Sequence, residues 1–220
     1  MALVKLIAHT PEPEKVIAIA ARFCYSKFST DQIIEKMTQD EIKKSIRHLN
    51  KLGHESPIEH ASFTFSISNI SRACMAQLTR HRIASFSVKS QRYVNEKKFT
   101  FITPPELKDD KEYQLIMKKL HDSYARLKKK GIANEDARFV LPNACTTQLI
   151  TTMNARSLKN FFALRCCYRA QWEIRDVADK MLKQCKEVAP ILFENAGPPC
   201  SHCREGELAA NCPRKKKFSK

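Results

Sequence analysis

The segment ASFTFSISNI, residues 61–70, restricts the fold more than any other stretch of this chain. Its large apolar residues Phe63, Phe65 and Ile67 occupy every second position, with hydroxyl-bearing residues between them. Successive side chains of a β-strand point to opposite faces of the sheet, so a period of two places all three apolar side chains on one face. The pattern therefore predicts a strand that is buried on one side.

Further segments predict an α+β fold, with helices packed on an antiparallel or mixed sheet. LVKLIAH and CTTQLITTMN predict strands, the second because β-branched residues dominate it. Pro13 suits a first helical turn, and Gly53 suits the end of a helix. Helical spacing of apolar residues predicts helices at 13–25, 40–53, 71–82, 109–131 and 157–190, the last with room for one long helix or two.

Length and composition predict one compact domain. A chain of 220 residues with 43% hydrophobic residues can bury a sizeable core. We expect the domain at residues 1–197 and an irregular Cys- and Lys-rich tail at 198–220. The N-terminal residues lack the apolar stretch of a signal peptide, and no apolar run reaches the ~20 residues that cross a bilayer. We therefore expect a cytoplasmic protein with no membrane partner, whose 9 cysteines are reduced thiols.

The net charge of +16 requires an anionic partner, either nucleic acid or a phosphorylated small molecule. The stretch RHRIASFSVKSQRY, residues 80–93, concentrates this charge. If the preceding helix continues to Arg82, Gln77 shares a face with Arg80 and His81. An extended backbone beyond it places Ser90 and Arg92 on one side, where a hydroxyl and a guanidinium suit a phosphate. A solvated charged face is the alternative interpretation.

Four blocks of sequence resemble the flavin-dependent, or alternative, thymidylate synthases. RHRIASFSVKSQRY is similar to the signature of that family. GHESPIEHASFTFSI at 53–67 resembles its upstream segment, and RFVLP at 138–142 resembles its later arginine motif. NARSLKNFFALR at 154–165 and QWEI at 171–174 together resemble its final block. The four blocks follow the order of the family and cover most of residues 53–174.

The resemblance implies reductive methylation of deoxyuridine monophosphate (dUMP) to thymidylate (dTMP). The carbon donor would be 5,10-methylenetetrahydrofolate, and FAD, re-reduced by NADPH, would supply the hydride. No Gly-x-Gly-x-x-Gly motif for a dinucleotide domain is present in the sequence. The resemblance implies Arg165 as the catalytic residue, which stabilises the ionised uracil ring. FAD ligands implied in the same way are His54, Ser56, Glu59, Arg80, His81, Arg82, Val88, Asn154, Arg156 and Asn160. The implied substrate-binding residues are Gln77, Leu78, Thr79, Arg80, Val88, Lys89, Ser90, Gln91, Arg92, Arg138 and Arg165.

The sequence departs from the commonest family motif at Ser87 and Val88, where many members carry Asn-Glu. The resemblance therefore implies backbone contacts there and not an acidic side-chain contact. Ser90 has no His-Asp pair that obviously activates it as a nucleophile, so we assign it to the phosphate. The resemblance also implies a homotetramer whose active sites form at subunit contacts.

Two alternatives remain at this stage. Cys200, His202, Cys203 and Cys212 in the tail contain half of a zinc site, but the second half is poor, and we expect no metal. A basic RNA-binding module without catalysis would also explain the charge. Such a module needs stacking aromatics among its cations, and Phe86 and Tyr93 alone provide few.

Overall fold

The computed structural model, which describes residues 1–203 and 205–214, contains a sheet of four antiparallel strands. The strands are β1 (Leu3–His9), β2 (Ser62–Ser71), β3 (Ser85–Val88) and β4 (Thr146–Asn154). Their order across the sheet is β1-β2-β4-β3, and every neighbouring pair is antiparallel. The three strands that the sequence predicted are confirmed, and the fold is a single α+β domain.

Each segment with helical spacing of apolar residues contains a helix, although the one predicted at 71–82 is shorter and the segment 157–190 contains two. Gly53 follows the third helix with a φ of 68°, in the left-handed region that favours glycine. The helices are α1 (Pro13–Phe23), α2 (Thr30–Lys36), α3 (Gln39–Leu52), α4 (Arg72–Leu78), α5 (Lys111–Lys129), α6 (Asn134–Ala137), α7 (Ala155–Arg165), α8 (Trp172–Val188) and α9 (Glu207–Ala210). Short 3-10 turns lie at Pro57–His60, Pro105–Leu107, Arg138–Val140 and Cys200–His202.

The core lies between one face of the sheet and the helices, chiefly α7 and α8. Phe63, Phe65 and Ile67 of β2 are completely buried there, as the period of two predicted. The register places Ile67 opposite Leu149 of β4, which is also buried. The side chains on the opposite face of the sheet are much more exposed, and Ile150 there is 44% exposed. One face of the sheet is therefore available for contact with another molecule.

Two local predictions around the basic stretch were wrong. The helix predicted to continue to Arg82 ends at Leu78, because Arg80 N–H and His81 N–H donate to the carbonyls of Gln77 and Leu78 and close a tight turn. The extended backbone predicted through Arg92 ends with β3 at Val88. Beyond it Val94 N–H donates to the Ser90 carbonyl, and this bond turns the chain.

The tail carries short regular elements within the described residues. The turn at Cys200–His202 and helix α9 both belong to it, and Arg214 Nη2 donates to Asp179 Oδ1 of α8 at 2.6 Å. Residues 204 and 215–220 of the predicted tail lie outside the described part. No helix of the described residues is long and apolar enough to span a membrane.

A buried carboxylate joins α8 to the start of α4. Glu173 is only 4% exposed. Its Oε1 accepts from Ser71 N–H at 2.6 Å, and its Oε2 accepts from Ser71 Oγ at 2.5 Å. Ser71 Oγ in turn accepts from Cys74 N–H at 2.9 Å, which caps α4. The carboxylate therefore fixes the helix that leads into the basic loop.

We expect Glu173→Ala to destabilise the fold by about 3 kcal/mol, because it leaves the buried Ser71 donors without their charged acceptor. Glu187→Ala is the matched control, since Glu187 is exposed on the same helix, and its effect should stay within about 0.5 kcal/mol. Urea unfolding at one fixed protein concentration measures both variants. Equal stability of the two variants would contradict the anchoring role.

Candidate active site

Most residues predicted to bind a cofactor line one cavity of about 820 Å³, here called the α7 cavity. Helix α7 forms one side of it, and the loop after α4 forms another. The predicted residues that line the cavity are Glu59, Arg80, His81, Arg82, Asn154, Arg156, Asn160 and Arg165. Residues far apart in sequence therefore meet at one site.

Helical periodicity explains the contribution of α7. Asn154 begins the helix by accepting from Ser157 N–H at 2.8 Å, as an N-cap residue does. Arg156, Asn160 and Leu164 follow at intervals of four residues, so they share one face and line the cavity together. Arg165 lies in the last turn of the helix, directly after Leu164, and also lines the cavity.

An ion-pair cluster forms part of the wall of the α7 cavity. Arg156 Nη1 lies 2.6 Å from Glu59 Oε1, and Arg156 Nε lies 3.0 Å from Glu55 Oε2. The hydrogen bond with Glu59 is the main reason that the pKa of Arg156 is raised. All three side chains are well exposed, so this cluster orients the guanidinium more than it stabilises the fold.

His81 is held by the first turn of α7. Its Nε2 lies 2.6 Å from Ser157 Oγ, and Ser157 Oγ donates to the Ile83 carbonyl at 2.5 Å. The His81 ring meets Phe161 edge-on, with centroids 5.5 Å apart. Burial lowers the pKa of His81, and the charge of Arg165 adds to this, while the contact with Ser157 opposes it. His81 is therefore a neutral imidazole at physiological pH.

Six residues of the α7 cavity were not predicted from the sequence, namely Glu55, Ile83, Ser157, Lys159, Ala163 and Leu164. Lys159 Nζ donates to Asn50 Oδ1 at 2.7 Å, and burial lowers the pKa of its ammonium group. The helical spacing of α7 could have indicated Ser157 and Lys159, since both lie beside residues that were predicted. Glu55 also lies between two predicted residues, but its partner Arg156 is 101 positions away, which no local pattern indicates.

Three predicted cofactor ligands, His54, Ser56 and Val88, lie outside the group of described residues that lines the α7 cavity. His54 N–H donates to the Leu49 carbonyl at 3.1 Å, and its side chain lines a separate cavity of about 430 Å³ beside α1 and α3. The Ser56 carbonyl accepts from Glu59 N–H at 3.2 Å and begins the 3-10 turn. Ser56 therefore positions Glu59.

Several predicted substrate residues turn their side chains inward. Leu78 is completely buried, and Gln91 is buried with its Nε2 3.6 Å from Cys145 Sγ. Val88 packs against the core. Lys89 Nζ forms an ion pair with Glu96 Oε1 at 2.6 Å, but the contact does not have the geometry of a hydrogen bond. These residues can offer a ligand little more than their backbone groups.

Gln77 and Thr79 sit at the end of α4, next to the basic loop. Gln77 is half-buried, whereas Thr79 is exposed and its Oγ1 donates to the Met75 carbonyl at 3.2 Å. Neither belongs to the described residues that line the α7 cavity. They continue the surface that leads from it.

The remaining predicted residues form a second group, here called the Arg92–Arg138 cluster. Arg92 Nε lies 2.7 Å from Glu135 Oε2, and Arg138 Nε donates to the Glu135 carbonyl at 3.1 Å. Arg92 N–H donates to Ser90 Oγ at 3.2 Å. Within the described residues, no member of this cluster lines the α7 cavity. One chain thus carries two separate cationic groups.

A neighbouring cavity of about 610 Å³ shares Ala163, Leu164 and Arg165 with the α7 cavity. Its other side carries the thiols of Cys167, Cys200, Cys203 and Cys212. Burial raises the pKa of Cys200, and the other three thiols add to this. In residues 1–203 and 205–214, no group of three or more His, Cys, Asp or Glu side chains is placed to hold a metal ion.

The fold and cavities define the class of the protein: a single-domain α+β protein with a cavity that Arg80, Arg82, Arg156 and Arg165 line with positive charge. The chain belongs to the thymidylate synthase complementing protein family, whose model matches residues 5–191. Curated relatives named flavin-dependent thymidylate synthase support this. The relative from Clostridium tetani is 46% identical over 228 residues, which cover 94% of this chain and 92% of the relative. The Geobacter sulfurreducens relative is 47% identical over 213 residues, covering 93% and 92%. The Saccharolobus solfataricus relative is 46% identical over 204 residues, covering 91% and 78%.

Proposed function

We propose that this protein is a flavin-dependent thymidylate synthase that converts dUMP to dTMP. It takes the carbon unit from 5,10-methylenetetrahydrofolate and the hydride from reduced FAD, which NADPH re-reduces. The observation that carries the proposal is the convergence, in the α7 cavity, of residues from three of the four family-like blocks. Membership of the family and the names of the relatives support the same activity.

The α7 cavity fits FAD in size and in the chemistry of its walls. Its volume of about 820 Å³ is in the upper part of the ~300–1,000 Å³ range of cofactor pockets. Arg80 and Arg82 supply cations for a pyrophosphate. Asn154 and Asn160 supply amide groups that can both donate and accept hydrogen bonds at a ring system. FAD bound there would supply the hydride-transfer chemistry of the reaction.

Arg165 is the residue that we assign to the base of dUMP. A bond at uracil C5 requires negative charge to accumulate on the ring, and a fixed guanidinium stabilises that charge without reorganising. Arg165 lines both neighbouring cavities. It can therefore contact a ligand that lies where the two cavities meet.

The Arg92–Arg138 cluster is the proposed site for the nucleotide phosphate. Ser90 and Arg92 provide a hydroxyl and a guanidinium, and the turn at Ser90 leaves backbone N–H groups nearby. Because this cluster does not line the α7 cavity of its own chain, we propose that it completes the site of a neighbouring subunit. The proposed assembly is a homotetramer, and the exposed sheet face around Ile150 offers it a contact surface.

Domain organisation and location complete the proposal. We assign catalysis to residues 1–197 and treat 198–220 as an appended tail, and we place the protein in the cytoplasm. The RNA-binding alternative gains no support from the relatives, all of which carry an enzyme name. Among the cations of the basic stretch, Arg92 packs on Tyr93, with its Cζ 5.3 Å from the ring centroid. A single such pair falls short of the stacking platform that RNA requires.

The purified protein should bind FAD with a Kd in the roughly micromolar range or below, which flavin absorbance and fluorescence titrations measure.

The purified protein should also release the C5 proton of dUMP only when reduced FAD and methylenetetrahydrofolate are both present. Arg82→Ala should weaken FAD binding by about tenfold, because it removes a charged contact in the α7 cavity.

Arg126→Ala is the matched control for Arg82→Ala. Arg126 lies on α5, where its Nη2 donates to Ser123 Oγ at 2.8 Å, and its loss should leave FAD binding unchanged. Absence of FAD binding, together with salt-sensitive binding of random RNA, would favour the RNA-binding module instead.

A further inference from the structure

The hydrogen bonds around Ser157 determine which nitrogen of His81 carries the proton. A serine hydroxyl has one hydrogen, and a backbone carbonyl can only accept. Because Ser157 Oγ donates to the Ile83 carbonyl, it has no hydrogen left for His81. His81 Nε2 lies 2.6 Å away and must therefore be the donor. The neutral ring then has its lone pair at Nδ1.

The surroundings keep this arrangement in place. Ser157 is buried, and its own N–H is bound by the Asn154 cap, so the first turn of α7 fixes the hydroxyl. Phe161 contacts the His81 ring edge-on and restricts its rotation. Burial lowers the pKa of His81, and Arg165 adds to this effect, so the second nitrogen stays unprotonated near neutral pH. Within the described residues, the only hydrogen bond of the ring is at Nε2.

A neutral imidazole with a lone pair at Nδ1 binds a different kind of group from the one that the neighbouring Arg80 and Arg82 bind. Arg80 and Arg82 can only donate and so select anions. A histidine acceptor between them in sequence instead binds a hydrogen-bond donor, either N–H or O–H. Flavin and uracil rings both carry such a donor, an imide N–H at N3 between two carbonyl groups. Sugar hydroxyls and the adenine amino group of FAD can also donate, but only the imide donor is lost when N3 is methylated.

We propose that Ser157 is a positioning residue that holds His81 as a hydrogen-bond acceptor at Nδ1, and that this acceptor recognises the imide N–H of a ring bound in the α7 cavity. This inference rests on the proposed function, because it requires FAD or dUMP as the ligand. It adds a selective role for His81 that the positive charge of the loop does not provide. A bare Nδ1 has no hydrogen to donate to a phosphate oxygen.

The binding test compares FAD with FAD methylated at N3, which lacks the imide hydrogen. Wild-type protein should bind the methylated form about tenfold more weakly, the usual cost of one lost hydrogen bond. In Ser157→Ala the ratio should fall to about threefold or less, because His81 is no longer held. A steric clash of the methyl group alone would leave the ratio unchanged in Ser157→Ala and would overturn the proposal.

Two further variants control for folding and for the hydroxyl itself. Ser157→Thr keeps a hydroxyl and should restore the discrimination. Ser123→Ala is the matched control, because Ser123 Oγ also donates to a backbone carbonyl, that of Lys119 at 2.8 Å, on α5. It should keep the wild-type ratio. A second arm repeats the comparison with dUMP and N3-methyl dUMP, and the arm that shows discrimination identifies which ring His81 contacts.

A direct measurement on the wild-type protein keeps the proposal testable if Ser157→Ala does not fold. Nitrogen NMR shifts of the His81 ring, assigned with His81→Gln, should show a protonated Nε2 and a bare Nδ1. A protonated Nδ1 would overturn the proposal. If wild type binds FAD and dUMP but discriminates against neither methylated ring, this inference fails and the proposed function stands. If the protein binds neither FAD nor dUMP, both this inference and the proposed function are overturned.

Discussion

Replacing Arg165 by alanine should reduce thymidylate formation by about 100-fold or more, the usual effect of removing one fixed group that stabilises charge in the transition state. FAD affinity should change by less than about threefold, because we assign Arg165 to the base of dUMP. The two readouts are the initial rate of C5 proton release from dUMP and a flavin fluorescence titration. A large loss of rate with little loss of cofactor binding separates a catalytic role from a structural one.

The controls for Arg165→Ala come from the same region of the chain. Arg169 lies four residues after the end of α7 and lines the thiol-bearing cavity. It pairs with Glu205, its Nη1 2.6 Å from Oε2. Arg169→Ala removes the same charge and should keep most of the activity. Arg165→Lys keeps the charge but lacks the planar fork of donors, so it should recover only part of the rate. Full turnover by Arg165→Ala would refute the assignment.

The Arg165 variants also have a spectroscopic consequence at His81. The positive charge of Arg165 contributes to the lowered pKa of that imidazole. Arg165→Ala should therefore raise the pKa of His81, whereas Arg169→Ala should leave it in place. NMR titration of the His81 ring measures this shift without any substrate. The result tests the spatial relation of the two side chains independently of catalysis.

Much of the fold was predictable because its signals are local. The period of two in β2, the β-branched composition of β4 and the glycine after α3 each depend on neighbours within about ten residues. The end of α4 was predicted wrongly at Arg82. Its actual end depends on the tight turn through Arg80 and His81, a backbone feature that no apolar spacing encodes.

The candidate site was only partly predictable, for a physical reason. Periodicity tells which side of an element faces the core, but it does not tell which elements become neighbours. The contact of His81 with Ser157 spans 76 positions and that of Arg156 with Glu55 spans 101. The same limit applies to Lys89 and Gln91. Both lie in a polar stretch that suggested a ligand site, and the fold turns both side chains toward interior partners.

The two cationic groups lie apart on one chain, and this separation predicts that the subunits share their active sites. Arg165 lines the α7 cavity, whereas Arg92 and Arg138 are gathered around Glu135 outside the described lining of that cavity. If one chain supplies Arg165 and its neighbour supplies Arg92 and Arg138, each active site contains groups from two subunits. Closed symmetry then repeats this arrangement at every equivalent site.

Mixing inactive variants tests this arrangement. Arg165→Ala and Arg92→Ala should each be nearly inactive, but a co-refolded mixture at equal ratio should regain activity, because about a quarter of the two-chain sites receive neither mutation. Arg92→Ala mixed with Arg138→Ala is the matched control. These two residues belong to the same cluster on one chain, so every site built from that mixture lacks one of them and no activity should return. If the first mixture stays as inactive as its parents while subunit exchange is verified by mass, both arginines serve one site from a single chain.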